Sequence, residues 1–430
     1  MNFYNEQEYL EYLDTHVVVP QGFSFHRSSL TFTARERSLE EPFRMNLGFI
    51  RSESVETPAA LVATTNRFPG APVTLARERI ATGHLRGILV NNKIANVAVS
   101  SGLDDARRVA ASAADAFVLQ EHQVLSVSTG IIGWHLPADE ICRVVPDLPD
   151  SVCSPREFAQ AIMTTDRYPK VAWSNGKSHS GPVMLGIAKG AGMVEPNLAT
   201  MLVFFVTDAV VSPERLDRVL RRVVDRSFNA ISVDGDQSTS DMVVAMSGGL
   251  SGVELNETEL EELWQPVADS LALEIVRNGE GTAHVVEVTI RGCPDRDLAQ
   301  KLGRHVVDSP LVKTAIHGND PNVGRVVGAL GDGLSRLDPD GTLDQSRMTI
   351  SFGDHEVYRD GGFRLNQESE RLLAGVFAGA AMDPVLVGYP QDRGTVPIVI
   401  DFRGDAREDV RVLGSDLSHE YIRVNADYRT

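Results

Sequence analysis

The chain has 430 residues, enough for one large domain or two to three ordinary ones. Apolar residues make up 42% and charged residues 23%, the balance of a soluble globular protein. The 41 Lys and Arg against 59 Asp and Glu leave a net charge of −18, an acidic surface that repels phosphate backbones and argues against nucleic-acid binding. The opening stretch MNFYNEQEYLEYLD lacks the basic and apolar regions of a signal peptide, and the densest apolar run, Met201 to Val206, is too short to span a bilayer. The three cysteines, Cys142, Cys153 and Cys293, show no CxxC and no ligand spacing near a histidine. Free thiols in a reducing cytoplasm are therefore expected, with no disulfide framework, no metal site and no membrane partner.

In chain order, residues 104–119 predict an alanine-rich helix with Val109, Ala113, Ala116 and Phe117 at helical spacing. Residues 200–211, TMLVFFVTDAVV, form a continuous apolar run expected as a strand covered on both faces. Residues 212–228 predict a helix capped by Ser212 with Pro213 at its first position and a stripe of Leu216, Val219, Leu220, Val223 and Val224. Residues 256–264 start another on a capping box of Asn256 and Glu259, with Pro266 expected to kink or end it. A strand over 283–292 alternates Val286, Val288 and Ile290 with polar residues, and a helix follows at 294–309. Residues 396–402 and 421–428 predict two last strands. The class is α/β, with layered sheets flanked by helices. No repeat, low-complexity tract or long linker appears, and the best candidate boundary is the junction at Thr200.

That junction carries chemistry. In KGAGMVEPNLATMLVFFVTDA a glycine-rich polar run stops at Ala199 and an apolar strand begins at Thr200. An N-terminal threonine supplies a hydroxyl nucleophile and, in its α-amine, a base with a pKa near neutrality. An internal threonine gains that amine only when the preceding bond is cut, by an N-to-O acyl shift and ester hydrolysis. Small Ala199 leaves its carbonyl accessible, and Gly190 and Gly192 permit a tight approach. The competing reading is a β-branched residue that simply opens a strand.

The segment GIAKGAGMVEPNLATMLVFFVTDA closely resembles the self-cleavage segment of the ornithine acetyltransferase (glutamate N-acetyltransferase) family of arginine biosynthesis. SVSTGIIGWHLP, AIMTTDRYPK, NAISVDGDQSTSD, SPLVKTAIHGNDPNVGR and DLSHEYIRVNADYRT resemble its other signatures in family order, from about residue 85 to the end. The resemblance implies an N-terminal-nucleophile-like, self-cleaving fold with an α chain of residues 1–199 and a β chain of residues 200–430. These stay associated, as a heterotetramer or larger. It implies that Thr200 is the nucleophile, released by cleavage from Ala199, with Thr129 and Gly130 as the oxyanion hole. Thr164, Lys189, Glu280, Asn425 and Thr430, with Thr200, are implied substrate contacts, Lys189 suiting a carboxylate and Glu280 a cationic amine. The implied reaction is ping-pong transfer of an acetyl group from N-acetylornithine to glutamate, without cofactor, and the sequence contains no Walker or GxGxxG element.

Several stretches depart from the family pattern. NNKIAN at 91–96 carries Lys93 and Ile94 where small or polar residues are usual, and STSD has Ser240, followed by Met242. His317 and Val323 stand where aromatic residues are favoured, and the Trp134-His135 pair is unusual. Placed in or beside site loops, these changes suggest a divergent paralogue with retained chemistry and altered substrate, serving a specialised pathway; neutral drift at positions that do not touch substrate is the alternative. An amidase using water as acceptor, and a non-catalytic binding protein, are the rival readings.

Overall fold

The apolar run after residue 200 becomes the strand Leu202–Thr207, buried along its whole length. Its two faces explain the layering. Leu202, Phe204 and Val206 pack into a core between two sheets, while Val203 and Phe205 point the other way, against helices. Each such side chain removed from water stabilises the fold by about 1.5–3 kcal/mol.

The computed structural model describes residues 2–37, 42–176, 181–195, 201–406 and 408–426. The first sheet runs, in spatial order, Val124–Ser128, Gly87–Asn91, Phe43–Ser52, Phe23–Phe32 and Val152–Cys153. The second runs Ala59–Ala63, Met242–Ser247, Leu202–Thr207, Val183–Lys189 and Lys170–Asn175. Helices Pro213–Arg226 and Glu257–Arg277 cover the outer face of the second sheet, and Gly102–Ala116 covers that of the first. The result is helix, sheet, sheet, helix. A third, seven-stranded sheet from the C-terminal half packs its own core against helices Arg296–Val307, Pro310–His317, Val323–Leu337 and Gln367–Ala380. The α/β class with layered, helix-flanked sheets is the one expected.

Strands from both sides of residue 200 share the second sheet. Val183–Lys189 lies antiparallel to Leu202–Thr207, with Lys189 opposite Leu202. Met242–Ser247 runs parallel on the other side, with Met242 opposite Leu202.

Two expectations need correction. Pro266 does not end its helix, which continues to Arg277 because Val267, Leu271, Ile275 and other residues beyond the proline are buried on the same face. Residues 421–426, expected as strand, belong to the helix His419–Ala426. The Ser418 hydroxyl accepts the Tyr421 N–H, as at a helix start, and Ile422 is exposed. All three cysteines are free. Among the described residues no helix is long and apolar enough to cross a membrane.

Candidate active site

The parallel strands Gly87–Asn91 and Val124–Ser128 end side by side, and the loops that follow stay paired. The Thr129 N–H donates to the Asn91 carbonyl (3.1 Å), Ile131 N–H to Lys93 (2.8 Å), and Ala95 N–H to Ile131 (3.0 Å). This brings the two backbones so close that a Cβ on Gly130 would sit 2.2 Å from the Lys93 carbonyl carbon, and Gly130 also has φ +127°. Only glycine fits there. Among the described residues the Gly130 N–H has no hydrogen-bond partner, so it can serve an incoming oxygen.

Lys189 ends its strand inside the protein, 2% exposed. Its Nζ donates to Thr129 Oγ1 (3.2 Å), its only hydrogen bond among the described residues. Because that oxygen accepts from the ammonium, the Thr129 hydroxyl proton is left to donate elsewhere. Burial pulls the Lys189 pKa below the ordinary lysine value, partly offset by Asp166.

Behind Lys189, Lys170 donates to Asp166 Oδ1 (2.6 Å) and Asn278 Oδ1 (2.7 Å). Both members of this ion pair have fully buried side chains. Burial pushes the Asp166 carboxyl up, but Lys170, Lys189 and hydrogen bonds outweigh it and hold the group well below the usual carboxylate range. Asp166 also accepts the N–H of Thr164 (3.1 Å) and of Gly190 (2.8 Å), fixing two loops.

The Glu280 carboxylate lines the same cavity as Thr129. Its Oε2 accepts from Asn425 Nδ2 (2.8 Å), and its N–H donates to the Ala191 carbonyl (2.7 Å). A Cβ on Gly192 would stand 2.3 Å from Glu280 Oε2, so the glycine makes room for the acid. Thr129, Gly130, Thr164, Lys189, Glu280 and Asn425 all line one cavity of about 490 Å³. Thr200, Ala199 and Thr430 lie outside the described residues.

Three aspartates that the sequence reading did not single out hold the chain on either side of residue 200. Asp166 accepts the Gly190 N–H, Asp234 accepts the N–H groups of Met193 (2.6 Å) and Val194 (2.8 Å), and Asp241 accepts that of Met201 (2.6 Å). Burial pushes the Asp241 carboxyl well above its ordinary range and lifts Asp234 to about 6. Each aspartate stands inside a quoted motif. Nothing in its spacing discloses a backbone partner 24 to 41 residues away.

The ArgJ family model matches residues 32–430. The chain belongs to the ArgJ family. It is 39% identical over 414 residues to glutamate N-acetyltransferase Oat2 of Streptomyces clavuligerus, across 96% of this chain and 98% of that one. It is also 39% identical to the arginine biosynthesis bifunctional protein ArgJ of Geobacter sulfurreducens, across 93% and 98% of the two chains. The crystal structure of ArgJ from Bacillus halodurans aligns at 28% identity with a TM-score of 0.45, covering 52% of this chain and 97% of that one.

The departures of this ArgJ-family chain fall in different places, not all beside the site. Ser240 and Trp134 line the cavity. His135 donates its N–H to Glu36 (2.8 Å), another lining residue. Ile94 is instead fully buried in the core behind the Gly130 loop, and Lys93 is exposed at φ +75°. Val323 and His317 lie away from the cavity: Val323 packs in the core of the third sheet, and His317 bonds to Asp416. Met242 is buried between the first two sheets.

Proposed function

We propose that this ArgJ-family protein is a self-processing acyltransferase that moves an acetyl group from an N-acetyl amino acid of ornithine type to the amine of an amino acid of glutamate type. The observation that carries the reading is the pairing in one cavity of the Gly130 N–H and a buried ammonium, Lys189, that meets only a hydroxyl among the described residues.

Cleavage between Ala199 and Thr200 frees the α-amine of Thr200. The Thr200 hydroxyl then attacks the donor's amide carbonyl while that amine takes the proton. Negative charge on the carbonyl oxygen is met by the Gly130 N–H and the Thr129 hydroxyl, each worth about 3 kcal/mol in a water-poor site. Collapse returns the proton to the leaving amine and leaves an ester on Thr200. The acceptor amine attacks the ester and regenerates the hydroxyl. Lys189 pairs with the substrate carboxylate, Glu280 and Asn425 face the cationic end of the donor, and Thr164 borders the same space. Thr430 is carried over as a further contact by resemblance alone.

Residues 1–199 and 200–430 become the α and β chains. Their strands share the second sheet, which supports a pair that stays interlocked after the cut. Association of two such pairs into a heterotetramer rests on the family resemblance.

The test is acetyl transfer from N-acetylornithine measured with and without glutamate. Acetylglutamate formed in step with free ornithine is expected. Ornithine release at the same rate without acceptor indicates a hydrolase, and no release of either product overturns both readings.

A further inference from the structure

Outside the cavity, three side chains from distant parts of the chain converge. His284 precedes the strand Val285–Arg291, His317 ends the helix Pro310–His317, and Asp416 follows the strand Val410–Ser415. Asp416 Oδ2 lies 2.9 Å from Nδ1 of each histidine, and the three ligand atoms fall within 4.8 Å of one another. His284 and Asp416 are buried, while the His317 side chain is 33% exposed and opens the cluster to solvent.

The outer contacts determine what the inner atoms can do. His284 Nε2 is 3.2 Å from Asn319 Oδ1, a contact made as a hydrogen bond by the tautomer that carries its proton on Nε2. In a neutral ring this aims the Nδ1 lone pair at Asp416 Oδ2, placing two acceptors 2.9 Å apart. A cation between them removes the conflict. A histidine that bonds an ion through one nitrogen and donates the other N–H to a fixed oxygen is the usual arrangement around a bound metal. The carboxylate is fixed as well, since Asp416 Oδ1 accepts the Ala283 N–H (2.9 Å). Ligands 2.0–2.1 Å from a tetrahedral ion stand about 3.3 Å apart, so the two 2.9 Å pairs open by a few tenths of an ångström and the two histidine nitrogens, within 4.8 Å of each other, settle to the same spacing when an ion enters.

We propose that His284, His317 and Asp416 bind a divalent transition ion of the zinc type, with water at the remaining position on the His317 side. Imidazole nitrogen and carboxylate oxygen are donors such an ion takes. The site is separate from the acyl-transfer cavity but braces its amine-binding end. Glu280 lies four residues before His284, and the Ser418 hydroxyl, two residues after Asp416, donates to the Gly281 carbonyl (2.6 Å).

The full-length protein, stripped with EDTA and dialysed, is titrated with Co²⁺ and followed by its visible d–d absorption and by calorimetry. One Co²⁺ per chain, displaced by Zn²⁺, is expected. His317→Phe, at a partly exposed position that tolerates the change, should keep the folded circular dichroism and lose the ion. Asn319→Leu should bind about 10–100-fold more weakly. Parent protein that takes up no Co²⁺ overturns the assignment. Binding that His317→Phe leaves intact also overturns it, because the ion then sits elsewhere.

Discussion

Two buried lysines on neighbouring strands show how one protein treats the same charge in opposite ways. Lys170 is closed off, its ammonium shared between Asp166 and Asn278 with no exposure at either end of the ion pair. Lys189 is equally buried, yet among the described residues it meets only the Thr129 hydroxyl, and burial pulls its pKa down. A satisfied buried pair is architecture. A buried cation at a cavity wall without a carboxylate in hydrogen-bonding contact is a place made for an anion.

The widest separation between the two should come from removing each charge. Lys170→Met takes from buried Asp166 its hydrogen-bonded countercharge, leaving the Lys189 charge and two backbone N–H groups, and should cost up to about 3–5 kcal/mol of stability in denaturant unfolding. An Asp166→Asn, Lys170→Met double variant should recover part of that loss. Lys189→Met should cost less stability than Lys170→Met, because it breaks no hydrogen-bonded ion pair, although Asp166 and Asp241 lose its nearby charge. Its effect belongs on kcat/KM for the acylated donor, a fall of about 10–100-fold, the worth of one hydrogen bond to a charged group. Equal stability losses for the two variants would break the comparison.

Glu280, in the same cavity, gives a smaller effect. Gly192→Ala puts a methyl group where the Glu280 carboxylate now sits, and should displace Glu280 from Asn425. A loss of about 1 kcal/mol, read as a several-fold rise in KM for ornithine-type donors, is expected without a matching fall in kcat.

The sequence disclosed chemistry better than support. Lys189 and Gly130 stand in motifs that resemble the family's, and that resemblance, which also singled out Glu280, named them before any fold was known; residue type alone reads as a surface lysine, a loop carboxylate and a turn glycine. Asp166, Asp234 and Asp241 act through long-range acceptance of backbone N–H groups, which leaves no periodic trace. The continuous apolar run at 202–207 was readable because two faces of one strand are buried at once. The C-terminal helix was not: Tyr421, Ile422 and Val424 have strand propensity, which the Ser418 hydroxyl overrides from a position that propensity does not weigh. Ile94 looked like a substrate-site change and serves the core.

A third acid gives an effect confined to one pH window. Ser232 Oγ lies 2.8 Å from Glu195 Oε2 and 2.5 Å from Asp308 Oδ1. One hydroxyl can donate to only one of them, so a proton shared by the two acids completes the set. Burial and then Asp308 push the Glu195 carboxyl from 4.5 up to about 8. The native state therefore holds a proton that the unfolded chain releases. This contribution to stability is complete below pH 4.5 and is lost as pH rises to about 8. Glu195→Gln should flatten that slope, gaining on the parent protein as pH increases across the window in parallel unfolding titrations. An unchanged slope would show that Glu195 ionises normally.

The most direct test is intact and peptide mass spectrometry, under denaturing conditions, after brief exposure to N-acetylornithine without acceptor. The account predicts two fragments, residues 1–199 and 200–430, with one acetyl mass on the peptide that begins at Thr200 and about 10–100-fold slower labelling of it in a Lys189→Met sample treated alike. A single uncut chain, or an acetyl group on any residue other than Thr200, would contradict it.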